Sequence, residues 1–321
     1  MLFWTEKLLV FLCVFVTKLF GISHSFKNET SHYNWNLLDY EHCGESLSDR
    51  IIGGTEASLG QYPWLARIGY KYRSIFDDGD SDFDDETDDM EPTFRCGGSL
   101  INKLYVLTAA HCVINIPQKY KVSIVRLGEN YVDTKVDCEN GICAPPYQDF
   151  KPQTIIPHEH YDTPKFHNDI ALIRLNSTVA YHAFVQPICL PWGSQMFEDY
   201  LGTSAEVAGW GILNINEQKL SQVLMVVTLP IVDMAKCEKS FKKYTTLSKN
   251  QLCVGGNEGK DSCGGDSGGP LMKPSAAHGA PRYYVIGLVS FGSKRCGLFP
   301  IPAIYTNTAK YLDWILGHLR P

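Results

Sequence analysis

Ser267 lies in Asp261-Ser262-Cys263-Gly264-Gly265-Asp266-Ser267-Gly268-Gly269-Pro270, a hydroxyl set among glycines. A serine hydroxyl attacks a carbonyl only if a base takes its proton during the attack. The flanking glycines permit a tight turn that aims backbone N–H groups at the negative charge the attack creates. Thr108-Ala109-Ala110-His111-Cys112 offers the base, and Asn168-Asp169-Ile170-Ala171-Leu172 offers a carboxylate at the head of an apolar run. A neutral His111 ring would accept the Ser267 proton and later deliver it to a leaving amine. Asp169 on the other ring nitrogen would fix the tautomer and stabilise the imidazolium. Taken singly, each residue has a plainer reading, since an Asp or His is commonly structural or solvated and a glycine run is commonly a turn. Three extended signatures in the order His, Asp, Ser argue for the joint one.

The elements that must position these groups are short strands. From Ile51 onward, β-branched and aromatic runs alternate with Gly, Pro and Asn, as at 120–127, 170–175, 205–211, 224–229 and 283–291. Many short strands of this kind predict an all-β, barrel-type architecture. The C-terminus breaks the pattern: Leu312, Ile315, Leu316 and Leu319 recur at helical spacing. No internal repeat, nucleotide-binding glycine loop or zinc-ligand spacing is evident, and neither nucleic acid nor membrane is expected as a partner.

The 321 residues suffice for one large all-β domain or two smaller ones. Residues 8–16 are an apolar run after Lys7, followed by small residues at Gly21, Ser23 and Ser25. This predicts a secretory signal peptide over 1–23 and a secreted, extracellular protein; the run is too short to span a bilayer. An uncleaved signal anchor is the alternative, and Lys18 argues against it. Residues 24–50 form a polar pro-segment with no room for a core of its own. The catalytic domain is then expected over 51–321. Of eleven cysteines, ten remain after Cys13 leaves with the signal. An even number in a secreted chain predicts five disulfides, whose connectivity the spacing does not give. Sequons at Asn28 and Asn176 fit a glycoprotein. The stretch 77–91 holds ten carboxylates and no basic residue in a chain of net charge −6. Such a run reads as a solvated insertion or, alternatively, as an exosite that steers basic substrates.

The motifs around His111, Asp169 and Ser267 resemble those of the chymotrypsin-like (trypsin family) serine proteases, from Ile51 to the C-terminus. The resemblance implies two six-stranded β-barrels with the triad in the cleft between them, followed by a C-terminal α-helix. It implies an oxyanion hole from the N–H groups of Gly265 and Ser267, and no cofactor for catalysis. Asp49-Arg50-Ile51-Ile52-Gly53-Gly54 looks like the family's activation site. Cleavage after Arg50, by another protease or by the enzyme itself, would free the Ile51 ammonium to pair with Asp266. Asp261 would sit at the base of the primary pocket with Ser262, and so favour Arg or Lys in protein substrates. Ser290 and Gly292 would pair with the substrate backbone. One departure is Ala303 in Pro302-Ala303, where the family usually has glycine; its methyl would crowd the pocket. The resemblance pairs Cys43–Cys189, Cys96–Cys112, Cys237–Cys253 and Cys263–Cys296, which leaves Cys138 and Cys143 to close a short loop. The loop starting at Arg126-Leu127-Gly128-Glu129-Asn130 binds calcium in several relatives, so Glu129, Asp133, Asp137 and Glu139 are candidate Ca²⁺ ligands.

Val136-Asp137-Cys138…Cys143-Ala144-Pro145-Pro146, with Asp162 and His167-Asn168-Asp169, looks most like the arthropod clip-domain serine proteases. These act in extracellular immune and melanisation cascades, with upstream activating proteases and serpin-type inhibitors as partners. A clip domain needs six cysteines, and only Cys43 lies between the signal and the catalytic domain, so a complete clip domain is not expected. A digestive or venom trypsin and a non-catalytic protease homologue are the competing readings.

Overall fold

A computed structural model describes residues 32–47, 55–73, 91–114, 116–214, 219–257, 264–277, 279–293 and 300–321. Alternation of buried and half-buried residues makes strands of the short runs: Tyr120, Val122, Val125 and Leu127 are buried, with Lys121, Ser123, Ile124 and Arg126 half-buried between them. Seven antiparallel strands form the first sheet, β1 (Leu65–Tyr72), β2 (Thr93–Asn102), β3 (Tyr105–Thr108), β4 (Tyr120–Leu127), β5 (Gln148–Phe150), β6 (Pro152–Pro157) and β7 (Ala171–Leu175). Their order is β5-β4-β1-β2-β3-β7-β6. The edge strands β5 and β6 are separated only by Lys151, so one bent strand closes the sheet on itself. Trp64, Ile68, Leu100, Leu107, Leu127 and Leu172 fill its interior.

The second sheet contains β8 (Ser204–Gly209), β9 (Met225–Val232), β10 (Gln251–Gly255), β11 (Pro270–Ser275), β12 (Arg282–Phe291) and β13 (Pro302–Asn307). The order β9-β8-β11-β12-β13-β10, with β10 pairing back to β9, is a closed ring of six strands; Thr55–Glu56 adds to the free side of β9. Its core includes Val207, Leu229, Leu271, Ile286 and Tyr305. The fold is the chymotrypsin-like pair of barrels that the sequence motifs implied, and α2 (Leu312–His318) is the terminal helix. A further helix, α1 (Met234–Phe241), buries Cys237 and Phe241 and is capped by Asp233, whose carboxylate accepts the Ala235 N–H. The strand expected over 205–211 stops at Gly209, because the Gly211 N–H turns to the Asp266 carboxylate instead.

Residues 32–47, within the expected pro-segment, dock on the second barrel and on α2. Trp35 stacks on Tyr40, and both meet Trp192 edge-on. The Asn34 amide donates to the carbonyls of Leu316 and Leu319 at the end of α2, where helix carbonyls lack partners. Four expected disulfides are formed, Cys43–Cys189, Cys96–Cys112, Cys138–Cys143 and Cys237–Cys253. Cys263 and Cys296 lie outside the described residues, as do the expected signal segment 1–23, Asn28, and residues 77–90 of the acidic run. Asn176 stands exposed just past β7. Among the described residues no helix is long and apolar enough to cross a membrane.

Candidate active site

The two barrels meet where the three candidate catalytic residues lie. His111 is in a single helical turn, Ala110–Cys112, directly after β3, and the Cys96–Cys112 bridge ties that turn to β2. Asp169 immediately precedes Ile170 and β7; Ser267 is in the turn leading into β11. Close approach of the barrels requires glycine here. A side chain on Gly268, whose φ is +77°, would collide with Thr108, and one on Gly97 would press on Gly269. The Gly97 N–H donates to the Ser267 carbonyl at 2.8 Å, stitching β2 to the serine turn.

Asp169 is 3% exposed. Its Oδ1 accepts the His111 backbone N–H at 2.9 Å, and its Oδ2 faces His111 Nδ1 at 2.8 Å. The Ser290 hydroxyl donates to the same Oδ2 at 2.5 Å, and Thr306 donates to the Asp169 carbonyl. Burial opposes the charged carboxylate, but the His111 charge and hydrogen bonds from His111 and Ser290 outweigh it and hold the Asp169 pKa below its ordinary value. Burial likewise opposes a charged His111, yet the Asp169 charge and hydrogen bond prevail and raise the imidazole above its ordinary value. With Nδ1–H committed to Asp169, Nε2 is the free basic atom.

Cys112 Sγ lies 3.6 Å from His111 Nε2 and 3.5 Å from the Ser267 carbonyl, so the bridge sulfur touches both the base and the backbone of the serine. Ser267 and His111 make no hydrogen bond to each other in this structure. Such contacts are commonly long without substrate and tighten in the reacting complex. Gly265 has φ of +105°, a conformation open to glycine, and among the described residues no backbone acceptor takes the N–H of Gly265 or Ser267.

Residues 51–315 match the trypsin family's sequence profile, described as Trypsin. The chain belongs to the trypsin family. As a family member it is a serine endopeptidase. It is 38% identical over 288 residues to CLIP domain-containing serine protease B4 of Anopheles gambiae, covering 88% of this chain and 74% of that protein. Melanization protease 1 of Drosophila melanogaster is 39% identical over 287 residues, 87% of this chain and 68% of that one. Among solved structures, the Drosophila Grass clip serine protease of the Toll pathway superposes with a TM-score of 0.70 at 32% identity, covering 92% of this chain and 77% of the other.

The remaining predicted site residues of the protease divide into three groups. Arg50, Ile51, Asp261 and Ser262 lie outside the described residues. Asp266, Ser290, Gly292 and Ala303 lie among the described residues. Asp266 Oδ1 accepts the Gly211 N–H at 2.9 Å, and side chains on Gly209 or Gly211 would collide with its carboxylate. Ala303 is buried on β13, and a Cβ placed on Gly292 would stand 3.0 Å from its methyl. Phe166, from the loop carrying Asp169, stacks on Phe291 next to Gly292. Ser290, expected only to bind substrate backbone, also anchors Asp169. Neither that role nor those of Thr306, Gly209 and Gly211 has a local sequence signature; Ser290 and Asp169 are separated by 121 positions.

The four candidate calcium ligands are the third group, and they are not brought together. Glu129 is buried, and its Oε2 is shared by Arg67 at 3.4 Å and Arg126 at 3.2 Å. Asp137 Oδ2 accepts the N–H groups of Asn130 and Tyr131, and its Oδ1 accepts the Thr134 hydroxyl. Glu139 accepts the Leu59 N–H at 2.6 Å, and Asp133 is exposed. Two guanidinium groups already occupy the charge-balancing place at Glu129, where they would repel a dication. In this arrangement Glu129 Oε2 is balanced by arginine, while Glu129 Oε1 is buried without a hydrogen-bond partner among the described residues.

Proposed function

We propose that this protein is a secreted zymogen, activated by cleavage after Arg50, that performs limited proteolysis after Arg or Lys. The observation that carries the proposal is the Asp169 carboxylate, which is buried and spends both oxygens on His111. In the reaction, His111 Nε2 removes the Ser267 proton as Oγ attacks the scissile carbonyl. The carbonyl oxygen becomes an oxyanion between the N–H groups of Gly265 and Ser267. The imidazolium, held by Asp169, then protonates the leaving amine as the C–N bond breaks. Water, deprotonated by the same nitrogen, hydrolyses the acyl-enzyme and restores Ser267. Pairing of the new Ile51 ammonium with Asp266 would order the Gly265 donor, coupling activation to the oxyanion hole. Relatives named for melanisation and the Toll pathway support a place in an extracellular protease cascade, with protein substrates and an upstream activator.

The test is to cleave the purified zymogen at Arg50, label Ser267 with a fluorophosphonate and profile cleavage on a peptide library. Labelling and turnover should both depend on the cut, and Arg or Lys should precede the scissile bond. Preference for large apolar residues would overturn the Asp261 assignment. The Ala303 methyl against Gly292 narrows the cleft wall, so Ala303→Gly should shift the Arg-to-Lys preference by roughly tenfold, as one carbon in a pocket commonly does.

A further inference from the structure

Helix α1 and the turn after it carry lysines at 236, 239, 242, 243 and 249, all exposed. Cys237 and Phe241 mark the inward face of α1. At 3.6 residues per turn, Lys236, Lys239 and the C-cap Lys242 fall within an arc of about 120° on the opposite side, and Lys243 follows in the turn. Glu238 is the only acid between 234 and 249, and Asp233 is spent on the helix cap. None of these five ammonium groups has a carboxylate within ion-pair distance among the described residues. Helix stability accounts for part of the pattern only. Cations in the last turn favour the helix dipole, which suits Lys239 and Lys242; Lys236 sits in the first turn, where a cation is unfavourable. These lysines form a concentrated positive face without a paired carboxylate among the described residues, on a chain of net charge −6.

We infer that this ridge binds a linear sulfated polysaccharide. Tyr244, 66% exposed, is the one large exposed apolar side chain among residues 234–249. That is too little apolar surface for the core of a protein interface. Several point charges on one face beside one flat ring suit a chain of repeating anions and sugar faces. The ridge also touches the catalytic loop. Thr245 donates to the Lys165 carbonyl at 2.6 Å, and the Thr246 carbonyl lies 2.7 Å from His167 Nε2, two positions before Asp169. A polyanion held here therefore places the protease on a matrix with its cleft alongside and uncovered.

Binding is measured by fluorescence anisotropy on the full-length Ser267→Ala protein, so the result does not depend on catalysis or on the proposed specificity. Heparin is the probe, with uncharged dextran, poly-glutamate and duplex DNA as comparators. Combined Lys236→Ala, Lys239→Ala, Lys242→Ala and Lys243→Ala substitution should weaken heparin binding by about tenfold or more. It should also lower the slope of log K against log salt by about three, as four counterion-releasing contacts go. Combined Lys103→Ala, Lys119→Ala, Lys135→Ala and Lys151→Ala substitution removes the same charge from other exposed positions and should change little. In a Ser267 background, both variants should keep wild-type hydrolysis of a small peptide, which reports that they fold. Equal weakening by both sets, preference for poly-glutamate or DNA over heparin, or no heparin binding would overturn the inference.

Discussion

Ser290 Oγ and Asp169 Oδ2 lie 2.5 Å apart, and that same oxygen receives His111 Nδ1. A strand of the second barrel thus braces the carboxylate that orients the base carried by the first. Ser290→Ala should lower kcat roughly tenfold with KM nearly unchanged, the size expected for one hydrogen bond to a charged group. A change confined to KM would assign Ser290 to substrate binding alone.

The pH profile should carry the signature of the pair. Asp169 favours the imidazolium, so the neutral base appears only as pH rises past a midpoint above the ordinary histidine value of 6.5. In Asp169→Asn the burial that opposes charge remains while the raising interaction is lost. The midpoint should then move downward and kcat should fall by about 10⁴, as when such a triad holds the wrong tautomer. Stability follows the same linkage. The raised His111 contributes fully below 6.5 and its contribution is lost as pH climbs through the raised pKa. The depressed Asp169 contributes fully above 3.8 and its contribution is lost as pH falls through the lowered pKa. The pair therefore stabilises the fold most between these two ordinary values, and removing His111 should cost most in that window, read by denaturant melts across pH.

Gly211→Ala should uncouple cleavage from activity. The added carbon would collide with the Asp266 carboxylate and displace the serine turn. The chain should still be cut at Arg50, giving two bands on a reducing gel, while turnover drops about 10²-fold through misplaced oxyanion donors. Full activity in this variant would mean that Asp266 is not held where this structure has it.

Chelation should leave the enzyme unmoved. Because Glu129 is held by Arg67 and Arg126, excess chelator should shift the melting temperature by less than about 1 °C, as expected when no ligand binds the native state. Arg67→Gln should instead destabilise the fold by about 3 kcal/mol, since it removes one partner of a buried charge. A large chelator effect would show that the loop rearranges around a metal.

Much of the site was legible in the sequence because each catalytic group sits in its own local signature. Ser267 among glycines, His111 beside Cys112 and Asp169 before an apolar strand are fixed by short-range demands: a tight turn, a disulfide brace and a buried strand entry. The barrels were legible for a similar reason, since alternation of period two is a local property of a half-buried strand. The sequence motifs also pointed to acids for calcium, but which charge would face Glu129 depended on Arg67, 62 positions away on β1.

By itself, then, the sequence determined the chemistry available and the kind of fold able to carry it. Only the tertiary structure decided which hydroxyl would hold Asp169 and which glycines would make room for Asp266. Those relations join residues far apart in the chain. They exist only once two barrels have packed, because burial strips competing water from each charge and leaves the folded neighbours to satisfy it.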